Sequence, residues 1–350
     1  MSNPAQEIKI ETFRQQRQAE LNEGNEYLSG WLERWAKEGK VVSESRKPWA
    51  SKGRVYSNFY ETFYNVLNWY KLWKISRFRQ IGWKIDPLVV ENIKDKFARL
   101  VNCALETKND GRFHEYFKSY DPAIISYYTA IDYEFQNITG SRLNNILDFG
   151  SGIGRQAFQW ASQEGINFFS VDAIESLYML QNKIYSLLFQ DKLYEYFCNP
   201  ERFKKRDFYS DTNKLYHLPT WRIDFLPDEY FDLIICVQVL QEINEKTLRY
   251  VLAQFKRIIK KNGILYIRDN EFWQPNHKLR VARELLSQGW ELIFKYNGQE
   301  GIDIEGLPRL WAFTGTDNRK YFRNRTRIKR VFLPSHPFSY RSWRDYGLPI

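Results

Sequence analysis

Three glycines at alternate positions, Gly150, Gly152 and Gly154, follow an apolar run that ends in an acid, Ile146-Leu147-Asp148-Phe149. Ser151 sits between the first two, and the helix-compatible stretch from Arg155 comes next. Glycine admits positive φ and lets a ligand lie against the main chain. A strand that turns into a helix at this point presents free N–H groups and the positive end of the helix dipole. The spacing is G-x-G-x-G. A dinucleotide site needs G-x-G-x-x-G, with its third glycine deeper in the helix. A second acid, Asp172, closes the next apolar run, Phe168-Phe169-Ser170-Val171, and Ala173 follows it. An acid about 20 residues past a glycine turn is placed to accept from ribose hydroxyls.

Further chemistry is offered by residues that follow two later apolar runs. Gln238, Gln241 and Glu242 come after Phe231–Val237, and Arg268, Asp269, Asn270, Glu271, Trp273 and His277 come after Ile264–Ile267. Glu242 and His277 are the best-placed general bases, with Asp269 and Glu271 behind them. Each has a plainer reading. Glu242 also suits the first turn of a helix, where the dipole favours an acid, and His277 is one of four histidines, any of which can serve packing or surface.

The run Leu147 to Gly154 resembles the first motif of the class I S-adenosylmethionine-dependent methyltransferases: an apolar pair, Asp, any residue, then Gly-x-Gly-x-Gly. Phe231–Val237 resembles the family's fourth strand, and Lys261-Asn262-Gly263 with Ile264–Ile267 its following turn and fifth strand. The resemblance spans about residues 140–316. It implies S-adenosylmethionine as cofactor, cradled by Asp148, Gly150, Ser151, Gly152 and Gly154, with Asp172 and Ala173 at the ribose and Gln238 nearby. It also implies an adenine partner before strand 231–237, either Asp224 by hydrogen bond or Trp221 by stacking. The fold implied is a seven-stranded, mostly parallel Rossmann-like sheet with a helical N-terminal extension. Segments 218–228 and 239–242 are similar to bacterial sugar O-methyltransferases.

The elements that must hold these residues alternate as βαβ units: strand 146–149, helix 155–163, strand 168–172 and helix 174–189. After an irregular stretch over 190–220 come strand 231–237, a helix from 245 to about 259 capped by Asn244, strand 264–268 and a helix near 278–287. Strands 291–296 and 309–314 form an antiparallel pair. Before residue 140 the pattern is helical. Asp86-Pro87 starts a helix with Val89, Ile93, Phe97, Leu100 and Ala104 on one face, and Asp121-Pro122 starts another through about Phe135. Three regions follow: a helical extension over 1–139 that forms a substrate lid, a cofactor-binding domain over 140–318, and a basic aromatic tail over 319–350.

Charge is unevenly spread. The chain carries +10, and residues 319–350 hold nine Lys/Arg against one acid, Asp345, so the body is close to neutral. That distribution counts against a nucleic-acid enzyme, as does the absence of an (Asn/Asp)-Pro-Pro-(Tyr/Phe) tetrad after strand 231–237. Phe332, Leu333, Phe338, Tyr340 and Trp343 make the tail too apolar for a solvated arm, so docking on the fold near the pocket is expected; Arg323, Arg325 and Arg327 would share a face if extended, and guanidinium groups suit a phosphate or carboxylate on an acceptor. Aromatics make up 17% of the chain, enough for broad packed surfaces or a stacking pocket. No apolar run reaches the length of a membrane span and no secretory core opens the chain, which implies a cytoplasmic protein without a membrane partner. Cys103, Cys198 and Cys236 lack metal spacing and read as reduced core thiols. The reading is transfer of a methyl group to a hydroxyl of a small molecule, a sugar or natural product. N-methylation of an amine or peptide side chain, and a non-catalytic cofactor-binding module, are the alternatives.

Overall fold

A computed structural model describes residues 8–23, 142–152, 154–205, 209–240, 243–269, 281–295 and 307–313, with helical positions between 88 and 137 (88, 91–96, 98, 99, 129, 132, 133, 136 and 137). Eight strands form one sheet: β1 Asn145–Phe149, β2 Asn167–Asp172, β3 Leu193–Glu195, β4 Leu215–Pro219, β5 Phe231–Val237, β6 Ile259–Asp269, β7 Trp290–Lys295 and β8 Leu307–Phe313. Their order is β3-β4-β2-β1-β5-β6-β8-β7. The first six pair in parallel, and β8 runs antiparallel to both β6 and β7. The order reverses between β1 and β5, and the turn after β1 therefore opens into the crevice where such sheets bind ligands.

The sheet thus exceeds the expected seven strands by one, the three-residue β3 on its edge. Two strands, β3 and β4, lie in the stretch read as irregular. β4 is buried along its whole length. It shows no alternation, and it ends on Pro219, whose missing N–H is tolerated at a strand terminus. β6 starts at Ile259, directly after the helix, and the turn expected at Lys261-Asn262-Gly263 is instead strand with a register shift opposite Phe231–Leu233.

Beside the helical positions before residue 140, the described residues include helices α1 Ile10–Asn22, α2 Arg155–Trp160, α3 Glu175–Leu188, α4 Pro200–Phe203, α5 Glu245–Ile258 and α6 Val281–Ser287. α5 shows why sequence pattern yields position. Asn244 caps it by accepting from Thr247 N at 2.9 Å, and Leu248, Val251, Leu252, Phe255 and Ile258 are buried at helical spacing. That stripe covers one face of the sheet, where Phe255 meets Phe149 edge to face with centroids 5.0 Å apart. The opposite face, bearing Asp148, lies under α2 and α3.

Of the N-terminal extension, α1 packs against α3, and Phe13 enters an aromatic group of Tyr178, Phe197 and Trp221 with centroids 5.1–5.4 Å away. Phe197 and Trp221 follow the carboxyl ends of β3 and β4, so α1 covers that end of the sheet. Ile93 is buried, as its helical face requires. Cys236 is buried in β5, whereas Cys198 is exposed. The 3₁₀ turn that carries Cys198 points Tyr196 and Phe197 inward instead. Cys103, most of the extension and the tail lie outside the described residues. Among the described residues, no helix is long and apolar enough to cross a membrane.

Candidate active site

The glycine turn is tied at both ends to β2. Gly150 N and Ser151 N donate to Val171 O at 2.9 and 3.1 Å, and Gly152 N donates to Asp172 Oδ2 at 2.8 Å. Ser151 Oγ donates to Asp148 O at 2.8 Å and accepts from Ser170 Oγ at 2.9 Å. All three glycines have positive φ, +73°, +59° and +74°. Their surroundings differ. A Cβ on Gly150 would collide with Val239 of the loop after β5, and one on Gly154 would lie 2.5 Å from Tyr185 Oη of α3. A Cβ on Gly152 meets nothing within 4 Å. Two glycines are therefore demanded by close packing of the turn between neighbours, and the middle one faces open space.

Two carboxyls flank that opening. Asp148 is 2% exposed, and its Oδ2 has no hydrogen-bond partner among the described residues. Burial pushes its pKa up to about 7, against the pull of Arg155 and the hydrogen bond from Ser151, with Asp132 and Asp172 adding to the rise. Asp172 is 3% exposed, and burial raises it to about 6, offset by N–H donors from Ile174 and Gly152, by Gln181 and by His217. Its Oδ1 accepts from Ile174 N at 2.9 Å and its Oδ2 accepts from Gln181 Nε2 at 3.3 Å as well as from Gly152 N. A carboxylate has about four acceptor sites, so one lone pair of Oδ1 stays available.

Ala173 is buried beside Asp172. Gln238 follows β5 with φ +60°, and its N donates to Arg268 O at 2.9 Å. Other expected residues sit elsewhere. Trp221 is 2% exposed and gives its ring to the core against Phe13. Asp224 is carried away from the turn. The 3₁₀ segment Thr220–Phe225 leaves the carboxyl end of β4 and runs down the sheet. There Ile223 O accepts from Arg257 Nη2 at 3.0 Å and Leu226 O from Arg257 Nη1 at 2.7 Å. Arg257 lies two residues before β6 begins, at the opposite end of the strands from the glycine turn. Asp269 is also not a free base: Val239 N and Leu240 N donate to its two oxygens at 2.9 and 3.1 Å, so it props the loop after β5. Glu242 and His277 lie outside the described residues, as do Gln241, Asn270, Glu271 and Trp273. The flanks of Glu242 are placed: Val239 abuts Gly150, and Leu240 and Ile243 are buried.

A buried ionic group not read from sequence adjoins Asp148. Asp132 Oδ1 accepts from Arg268 Nε at 2.7 Å and from Tyr266 Oη at 2.6 Å. Its Oδ2 accepts from Arg155, from Gln156 at 3.2 Å and from Arg268 Nη2 at 3.1 Å. Burial alone would raise Asp132, but Arg268 and Arg155 outweigh it and hold the carboxyl below its ordinary value. The only sequence hint was Arg268, which follows an apolar run. Nothing in the sequence joined it to a helix that precedes β1.

The family described as "Methyltransferase domain" matches residues 90–319, about two thirds of the chain. The chain belongs to the class I S-adenosylmethionine-dependent methyltransferases. The match starts within the helical extension rather than at residue 140, in keeping with the burial of Asp132 against β6. No curated protein matches. Among solved structures, the chain is similar to the N-methyltransferase NodS from Bradyrhizobium japonicum WM9 in complex with S-adenosyl-L-homocysteine. That pair shows 12% identity, coverage of 64% of this chain and 99% of that one, and a TM-score of 0.37. It is also similar to a TehB-like SAM-dependent methyltransferase from Corynebacterium glutamicum, at 14% identity, 63% and 98% coverage and a TM-score of 0.36. For the glycopeptide N-methyltransferase MtfA the values are 14%, 52% and 88%, and 0.37.

The cofactor of this methyltransferase is S-adenosylmethionine, and the described residues fit it. The open side of Gly152 leaves room for a ligand against the backbone, the partnerless Oδ2 of Asp148 suits a positive group, and Asp172 keeps an acceptor site for a hydroxyl.

Proposed function

We propose that this methyltransferase transfers the methyl group to a hydroxyl of a small molecule, a sugar or natural product. The observation that carries a transfer reaction is the pairing of the open face at Gly152 with the flanking carboxyls Asp148 and Asp172. The choice of a hydroxyl is supported by the likeness of segments 218–228 and 239–242 to sugar O-methyltransferases. It is also supported by Val237-Gln238-Val239-Leu240, which stands where base-amino enzymes carry a proline tetrad.

The bound cofactor supplies an already activated methyl group on sulfur. The chain's own residues then bind, orient and manage one proton. Gly150, Ser151, Gly152 and Gly154 shape the turn; Asp148 would hold the cofactor's ammonium, and Asp172 would accept from a ribose hydroxyl. Holding acceptor and donor in line supplies much of the rate. An alcohol also needs a base, and Glu242 or His277 takes that role, since both oxygens of Asp269 are occupied. The extension over 1–139 serves as the lid on the acceptor. The basic tail over 319–350 meets a phosphate or carboxylate on it.

The test is a panel of hydroxyl and amine acceptors incubated with methyl-labelled cofactor. Label on a hydroxyl acceptor is the expected result. Label confined to amines would replace this reading with N-methylation. Tight S-adenosylhomocysteine binding with no transfer to any acceptor would point to a non-catalytic module.

A further inference from the structure

Behind the cofactor turn lies a polar row of which the steps above use only Asp148. Strand register sets Glu195, His217, Ser170 and Asp148 side by side on β3, β4, β2 and β1. Opposed residues of neighbouring strands point to the same face. All four are buried, His217 completely. α3 covers this face and lowers Tyr178, Gln181, Asn182 and Tyr185 onto it.

The donors and acceptors of this row can be counted. Glu195 accepts from Tyr178 Oη at 2.6 Å, Asn182 Nδ2 at 2.8 Å, Phe197 N at 3.3 Å and His217 Nδ1 at 2.6 Å. At least four donors among the described residues therefore converge on this one carboxyl group. Gln181 is oriented from its other end. Its Nε2 lies 2.5 Å from Gly152 O and 3.3 Å from Asp172 Oδ2, both acceptors. The carboxamide oxygen must then point away from the turn, and it meets His217 Nε2 at 3.0 Å. Both ring nitrogens of His217 face acceptors, and the amide oxygen at Nε2 requires that this nitrogen carry its hydrogen.

We infer that His217, clamped by Glu195, is a positioning residue for the cofactor turn: its Nε2–H holds Gln181 so that the carboxamide ties Gly152 O to Asp172 Oδ2. The inference rests on the assignment of the cofactor to this turn. Without that N–H, the Gln181 oxygen keeps only Ser170 Oγ, at 3.2 Å, whose single proton is also drawn to Ser151 Oγ at 2.9 Å, so the amide is held less firmly with its nitrogen on Gly152. Cofactor affinity then depends on a residue buried beneath α3 that is bonded to the turn through Gln181.

A double-mutant cycle read by calorimetry with S-adenosylhomocysteine tests this, with the melting temperature of each ligand-free variant recorded beside it. His217→Phe keeps a flat ring stacked on Tyr178, where the centroids are 3.9 Å apart, and donates nothing. Gln181→Met keeps the length of the side chain and removes the tie. Each is expected to weaken binding by about tenfold, the scale of one net hydrogen bond. The double variant should bind about as weakly as Gln181→Met alone, even if it melts lower, because the hydrogen-bonded route from His217 to the turn runs through Gln181. Losses of affinity that add would overturn the inference. So would unchanged affinity in both folded single variants. Failure of the unmutated protein to bind S-adenosylhomocysteine would instead remove the cofactor assignment. If His217→Phe does not fold, nitrogen-15 NMR of the unmutated protein decides: a proton on Nε2 of His217 is expected, and a ring with Nε2 bare refutes the inference.

Discussion

Asp132 Oδ1 lies 2.7 Å from Arg268 Nε across 136 residues of chain. That bond, with the others on Asp132, fastens the helix before β1 to the end of β6. One carboxylate here is shared by two buried guanidiniums, so its removal takes an ion-pair partner from both Arg155 and Arg268. Asp132→Ala should therefore destabilise the protein by about 3–5 kcal/mol, as loss of one partner of a buried ion pair does. Urea denaturation measures it, and a change below about 1 kcal/mol, the scale of an exposed pair, would show the network to be dispensable.

The cofactor turn makes a sharper prediction. Gly152 has φ +59° on the open side, where valine is both strained and in the ligand's way, and Asp172 carries Gly152 N and Ile174 N. Gly152→Val and Asp172→Ala should each weaken S-adenosylhomocysteine binding by more than about tenfold, or at least 1.4 kcal/mol. Calorimetry that finds wild-type affinity in both folded variants would contradict the placement of the cofactor.

Protonation of the two flanking carboxyls couples stability to pH. Asp148 titrates at about 7 and Asp172 at about 6 in the fold, against about 3.9 in an unfolded chain. Between these values the folded state holds protons that the unfolded chain has released, so the ligand-free protein loses stability as pH rises. The contribution is whole below about pH 4, the unfolded value, and is lost as pH passes through 6 to 7. Melting temperature should fall across that window, and Asp148→Asn should flatten the slope. A rise, or an unaltered slope in the variant, would count against the buried, partnerless Asp148.

Proton removal from the acceptor is the remaining chemical task. Glu242→Gln or His277→Ala should slow methyl transfer by about 10²–10⁴, the usual worth of a positioned base, with cofactor affinity unchanged. Steady-state kinetics on a confirmed hydroxyl acceptor separates the two. Full turnover in both variants would leave orientation alone to drive the reaction.

The glycine turn was legible because backbone conformation and close packing leave no other residue type at Gly150 and Gly154. Asp172 and the α5 stripe were legible for a related reason: local pattern sets which side chains face the sheet. β4 was missed because a strand buried on both faces has no period to read, and Leu215-Tyr216-His217-Leu218-Pro219 also contains a histidine and a proline. Asp224 was misplaced because the direction in which a 3₁₀ segment leaves a strand is set by what it packs on, here Arg257. Asp269 looked like a free acid because the N–H groups that occupy it come from a loop 29 and 30 residues earlier in the chain. Asp132, Glu195 and Gln181 acquire meaning only from strand order, which no local window contains.

The placement of β8 between β6 and β7 has a kinetic consequence. Chains emerge from the ribosome N-terminus first and begin folding as they do so. β5 and β6 can join the parallel sheet as soon as they are made, but the outer edge of β6 finds its partner only when residues 307–313 appear. β7, made earlier, pairs with β8 alone among the described strands. Throughout that interval the nascent protein shows an open row of N–H and C=O groups, a template for joining another chain. Translation that halts before residue 307 should therefore release a species that aggregates through the edge of β6, and the final strand acts as the seal that ends this vulnerable period.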